Sequence, residues 1–421
     1  MATSRKWSIR VSTGLLVIFL NENKKLRHLG SITPYRFIAN NNVTEPEFKG
    51  CTPTKIWAVI RHGTRNPSAE LIEEIKINLT SIRDEILLYS NLSQNHVDAL
   101  KHWNFSLSKH EASELRQEGE KEMLLLAQRM QKRYPSLFPS VYNNQTFLFK
   151  YTASERTNDS AQGFATGLFG HEGAKNVVYD NSKEANFLLR FYKFCKKWIV
   201  QVKDNPNSYV EQGLFDRSSV MVSAIKELKE KLNLTKLTKD HVQLIYSTCG
   251  FETAWNEGNS IWCNFLPLEL MKILEFSENV KSYYVHGYAH NITYEQACPL
   301  FNDMIKHFTR EDPFPTTAMY FTHSGTILKF LAHLGLYKSN QPLKHTDYKN
   351  GTYKWNESRL DAFGSNIEFV LYSCDGQHKV AAYHQERIVE LPNCTKLCDL
   401  DSLKKIYRKS INCEFDTMCK L

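Results

Sequence analysis

An arginine, a histidine, a glycine and a second arginine close a short apolar run: Ile60-Arg61-His62-Gly63-Thr64-Arg65-Asn66-Pro67 follows Ile56-Trp57-Ala58-Val59. Two guanidinium forks can hold the oxygens of a phosphoryl group while an imidazole between them attacks phosphorus. On average residue usage, Arg-His-Gly-x-Arg-x-Pro arises by chance in about one in 10⁴ chains of this length. The spacing points to an anion site that contains a nucleophile, rather than to a basic turn after a buried strand.

Two more polar groups stand at comparable places. The run Phe147-Leu148-Phe149-Lys150-Tyr151-Thr152 reads as a strand, and Ala153-Ser154-Glu155-Arg156-Thr157 follows it directly. Ala318-Met319-Tyr320-Phe321-Thr322 reads as another strand, ended by His323. After each, apolar residues recur at helical spacing: Ala161, Phe164, Ala165 and Leu168 in one case, Ile327, Leu328, Leu331 and Leu334 in the other. Ligands in α/β sheets bind beyond the carboxyl ends of strands. Arg61, His62, Arg65, Arg156 and His323 are all placed at such ends.

The positioning elements can be read from periodicity. Ile72, Ile75, Leu79, Ile82 and Ile86 form one stripe of a helix starting near Ala69. Pro67 suits its first turn, which would set His62 near a helix N-terminus. A second helix is predicted over 111–133, a charged helical region over 183–235, a third strand over 242–246 and a late strand over 366–373. The aromatics between 250 and 310, among them Trp255, Trp262 and Tyr283, lack basic interleaving and read as core or cleft wall. Strands separated by long helical stretches imply an α/β core with a mainly parallel sheet.

Composition narrows the partners and the compartment. The 421 residues carry a formal charge of +8 without a long basic run, which favours an anionic phosphorylated small molecule and argues against nucleic acid. Arg5, Lys6 and Arg10 precede the apolar run 13–20, which has the order of a secretory signal; membrane attachment is expected only if that segment is retained as an anchor. Ten cysteines behind such a segment favour disulfides, with the pairing open. Cys394 and Cys398 have loose zinc-like spacing, but the oxidising compartment argues against a metal. Asn-x-Ser/Thr acceptors stand at Asn42, Asn78, Asn91, Asn104, Asn144, Asn158, Asn233, Asn291, Asn350, Asn356 and Asn393. A protein of the secretory pathway is expected: secreted, in the endoplasmic reticulum lumen or at the cell surface.

From about Lys55 to Leu391 the chain resembles the histidine acid phosphatases, and most closely their multiple inositol polyphosphate phosphatase (phytase-like) branch. The motifs are Arg-His-Gly-x-Arg-x-Pro at 61–67, Ser154-Glu155-Arg156-Thr157 with Ser160-Ala161, Cys249-Gly250-Phe251-Glu252, Trp262-Cys263, Gly287-Tyr288 and Ser365-Asn366-Ile367-Glu368-Phe369-Val370-Leu371-Tyr372. The resemblance implies a phosphoglycerate-mutase-like α/β sandwich core with an inserted, mainly helical second domain. Along the chain we expect a signal peptide or signal anchor over 1–20, a leader over 21–50, the core over 51–391 with helical insertions at about 70–140 and 183–310, and a cysteine-rich tail over 392–421. The resemblance makes His62 the nucleophile that becomes a phosphohistidine, with Arg61, Arg65, Arg156 and His323 on the phosphoryl oxygens and no metal or other cofactor.

One departure bears on mechanism. After its late histidine the family has Asp immediately, or in the inositol polyphosphate branch a residue and then Glu; here the order is His323-Ser324-Gly325. The expected general acid is replaced by Gly325. Ser324 is too weak an acid to replace it, and Glu155, Asp159 and Glu252 are the carboxyls weighed as substitutes. The leading reading is a phosphomonoesterase acting on inositol polyphosphates or related small phosphates, with turnover reduced for want of that acid. The alternatives are a phosphate-ligand-binding protein on the same fold and, less suited to the compartment, a mutase.

Overall fold

The computed structural model describes residues 25–255, 260–351 and 353–421; the segment read as a signal, 1–20, lies outside them. The described strands are β1 (Cys51–Arg61), β2 (Phe147–Tyr151), β3 (Tyr179–Asp180), β4 (Thr317–Thr322), β5 (Asn366–Cys374), β6 (Gln377–His384), β7 (Arg387–Val389) and β8 (Cys398–Asp399). They form one sheet in the order β3-β2-β4-β1-β5-β6-β7, with β8 beside β6. The strands β3, β2, β4 and β1 run parallel, whereas β5 returns antiparallel to β1 and carries an antiparallel edge. The expected parallel sheet is therefore the half that ends at the site.

The unbroken apolar run of β1 reflects burial on both faces. Trp57 and Val59 enter one core and Ile56, Ala58 and Ile60 the other, all fully buried. Burying a side chain of this kind is worth roughly 1.5–3 kcal/mol, so this strand is a rigid base for the turn at its carboxyl end.

Helices cover both faces. The first, α1, is continuous through Ala69–Glu74, a π turn at Ile75–Leu79, and Thr80–Tyr89. Next come α2 (Gln117–Arg133), α3 (Glu155–Ala174), α4 (Lys183–Leu189), α5 (Lys239–Trp255), α6 (Leu268–His286) and α7 (Ser324–His333). The expected strand over 242–246 is part of α5. Val242, Leu244, Ile245 and Tyr246 are all buried there, and a short apolar run buried all round does not reveal its period.

The start of α1 also differs from expectation. Ser68, not Pro67, caps it by accepting from the Leu71 N–H, so Pro67 lies just outside the helix. The helices that begin at the site are α3, with Arg156 in its first turn, and α7, capped by His323. The stretch read as a leader contributes buried Leu29 and Tyr35 to the two cores. Five disulfides join Cys51–Cys374, Cys195–Cys419, Cys249–Cys263, Cys298–Cys413 and Cys394–Cys398. The Cys394–Cys398 pair is a bridge rather than half of a metal site.

Candidate active site

The backbone beyond β1 is fastened from three directions. The Arg61 N–H donates to Ser365 O (2.8 Å), the His62 N–H to Thr322 O (3.0 Å), and the Gly364 N–H to His62 O (3.1 Å). One residue on, the Gly63 N–H donates to Ser160 Oγ (3.1 Å), itself tied to Arg156 O (2.7 Å). Glu122 of α2 takes the Thr64 N–H at 2.7 Å and the Thr64 hydroxyl at 3.1 Å. Gly63 is required for this approach: a Cβ there would lie 2.4 Å from the Gly119 carbonyl oxygen.

His62 is 3% exposed, and its Nδ1 lies 2.9 Å from Gly63 O. A carbonyl only accepts, so Nδ1 carries the proton and the Nε2 lone pair is left for an electrophile. Burial, followed by the charges of Arg61, His323, Arg156 and Arg65, holds the imidazole well below its usual pKa. It is therefore neutral and nucleophilic under acidic conditions.

His323 packs edge-on to His62, with ring centroids 5.6 Å apart. Its Nδ1 accepts from Arg156 Nη2 (3.2 Å) and its Nε2 donates to Thr152 Oγ1 (2.8 Å). Burial and the charges of Arg156, Arg190, Arg61 and Arg65 hold it neutral as well. Arg65 is half-buried beside Arg61 and Arg156, and desolvation first, then those two charges, pushes it down to about 9. Mutually repelling guanidiniums around a neutral imidazole make a strong site for a dianion.

All five residues picked out by spacing, Arg61, His62, Arg65, Arg156 and His323, thus meet at one place. The three carboxyls weighed as acids do not join them. Glu155 is exposed, Asp159 lines a separate cleft of about 1060 Å³ with Glu111, Glu114, Glu118 and Glu120, and Glu252 accepts from Trp103 Nε1 and Ser260 Oγ.

Other residues at the site escaped sequence reasoning. Arg190, just past α4, acts on both Arg156 and His323. Its signal was weak: one arginine closing an apolar turn in a charged helical region. Tyr192 covers Gly325, where a Cβ would meet the Tyr192 ring at 3.0–3.3 Å. Asp361 pairs with Arg61 at 3.5 Å, accepts from the Ser324 hydroxyl, and is fully buried. Arg61 also donates to Ser31 O (2.7 Å) and stacks 4.8 Å over Phe363.

Comparison with known proteins shows the family. The chain is 29% identical over 406 residues to multiple inositol polyphosphate phosphatase 1 of Drosophila melanogaster, covering 91% of this chain and 85% of that one. To the Homo sapiens protein of the same name it is 26% identical, with 88% and 82% covered. Among solved structures, the phytase from D. castellii superposes with a TM-score of 0.79 at 17% identity, covering 94% of this chain and 87% of the other. The multiple inositol polyphosphate phosphatase of Bifidobacterium longum, in complex with inositol hexasulfate, superposes at 0.72 and 16% identity, with 90% and 97% covered. Residues 54–391 match the family as a whole, and the chain belongs to the histidine phosphatase superfamily (branch 2).

Proposed function

We propose that this protein is a phosphomonoesterase of the secretory pathway that hydrolyses inositol polyphosphates or related small phosphates through a phosphohistidine at His62. The observation that carries the reading is the His62 ring itself. Its Nδ1–H is committed to Gly63 O, and its free Nε2 lies within the field of Arg61, Arg65 and Arg156.

Those positions define the chemistry. The guanidiniums bind the three equatorial oxygens, whose charge persists through the transition state, and His323, engaged by Arg156 at Nδ1 and by Thr152 at Nε2, orients Arg156. Nε2 attacks in line as the phosphorus–oxygen ester bond breaks, and the Gly63 carbonyl stabilises the cationic ring that results. Water then displaces the neutral imidazole from phosphorus. The names of the relatives, multiple inositol polyphosphate phosphatases, acid phosphatases and a phytase, favour this substrate class. Five disulfides favour an oxidising compartment, and no helix among the described residues is long and apolar enough to cross a membrane.

A second reading, a phosphate-binding protein with little turnover, is favoured by one observation: Gly325 stands where the motif has an acid, and Tyr192 occupies the space beside it. Release of phosphate from inositol hexakisphosphate and 2,3-bisphosphoglycerate between pH 4 and 7 separates the two. Catalytic release lost in His62→Ala supports the enzyme. Tight binding of either compound without release overturns it.

A further inference from the structure

The site contains a carboxyl that the motif does not predict. Asp361 closes the short helix Glu357–Leu360, just before β5. Its side chain is fully buried, Oδ2 accepts from Ser324 Oγ, and Oδ1 has no hydrogen-bond partner. Ser324 comes directly after His323, at the position where the wider family carries Asp, and unlike Asp361 it is partly exposed.

We propose that Ser324 and Asp361 form a proton relay that replaces the missing acid, with Ser324 touching the leaving oxygen and Asp361 supplying the proton from behind it. The inference rests on the phosphomonoesterase reading above. As His62 Nε2 bonds to phosphorus and the ester bond breaks, the leaving oxygen takes the Ser324 hydroxyl proton. With Asp361 protonated, its Oδ2–H donates to Ser324 Oγ, the reverse of the bond made to the carboxylate, and Ser324 Oγ takes that proton, leaving a carboxylate beside Arg61. In the second half, water attacks the phosphohistidine and its proton returns through Ser324 to Asp361. Phosphate and neutral His62 are released, and the relay is reset.

Two features favour a proton store over a simple ion pair. Arg61 is 3.5 Å from Oδ2, longer than a charge-assisted hydrogen bond, and it is also held by the carbonyls of Ser31 and Asp361. A buried carboxylate with one oxygen unpaired is costly, which favours the protonated acid. Burial, opposed by Arg61 and Ser324, accordingly raises Asp361 to about 6. A phosphate dianion arriving next to Arg61 would raise it further.

The test compares leaving groups. Alkoxide release from inositol hexakisphosphate needs a proton, whereas p-nitrophenolate release from p-nitrophenyl phosphate scarcely does. Asp361→Asn and Ser324→Ala should each lower kcat on inositol hexakisphosphate by about 10²-fold or more and change p-nitrophenyl phosphate turnover by less than about tenfold. Both variants should also lose the alkaline limb of the inositol hexakisphosphate pH profile. Ser324→Asp in the Asp361→Asn background should recover that turnover, because it places a carboxyl on the residue after His323. Equal losses on both substrates would make Asp361 a positioning residue for Arg61 and overturn the relay, as would unchanged turnover in both variants. If the native protein releases phosphate from neither substrate, the phosphomonoesterase reading fails and the relay with it.

Discussion

The two sides of the phosphate site are built differently. On the capture side, Arg61, His62 and Arg65 come from one turn whose backbone is hydrogen-bonded at Arg61, His62 and Gly63 to neighbouring segments, and Arg156 comes from the first turn of α3, where Ser160 links it to that turn. On the leaving-group side, Ser324, Asp361, Arg190 and Tyr192 come from three separate stretches and meet only through side chains. Holding a phosphoryl group demands fixed geometry, which backbone fastening supplies. Protonating a leaving oxygen demands only one acidic group within reach, so that side can be rebuilt from other residues.

Substitutions can break this contrast, beginning with the nucleophile. His62→Ala should lower phosphate release by about 10⁴-fold or more and abolish any phosphoenzyme, measured by single-turnover release. On the proposed reading, Arg156→Ala removes a donor to the phosphoryl oxygens, and it leaves His323 Nδ1 unpaired. A fall in kcat/KM of about 10²–10³-fold is expected in steady-state assays, close to the loss of one oxyanion-type donor.

Gly63→Ala tests the backbone fastening itself. The added methyl meets the Gly119 backbone, and thermal unfolding should report a loss of about 1–3 kcal/mol. Unchanged stability would mean that α2 does not back the loop. The pH profile tests the electrostatics. A histidine whose charged form is disfavoured stays nucleophilic until pH falls through its lowered pKa, so the acid limb of kcat/KM should lie well below the usual 6.5. A limb near 6.5 would show that neither burial nor the arginines disfavour the charged ring.

The smallest effect is expected at Gly325. Gly325→Glu must push aside the Tyr192 ring, so on its own it should leave inositol hexakisphosphate turnover within about tenfold of the native rate. A gain of about 10²–10⁴-fold would show that the wall yields and that this side has no donor of its own.

The same contrast explains what could be read from the residues. The capture side was legible because Arg61, His62 and Arg65 lie within five consecutive residues and because Arg156 and His323 each come after an apolar strand pattern. The parallel half of the sheet was legible for the same reason. Asp361 was not, since a lone Asp before Ala362 and Phe363 looks like any turn residue until Ser324 is folded against it. Arg190 and Tyr192 were hidden in a region that reads as charged helix. The stretch 242–246 looked like a strand because Val242, Leu244, Ile245 and Tyr246 are all buried, and five residues are too few to show a helical period. Pro67 looked like a first-turn residue because proline is tolerated both inside the first turn and just before the cap.

The central claim is that His62 carries the phosphoryl group. Quenching the protein with labelled inositol hexakisphosphate within one turnover should give, at most, one acid-labile, alkali-stable phosphate per chain, absent in His62→Ala. Release of phosphate without such an adduct, or an adduct that survives His62→Ala, would contradict it.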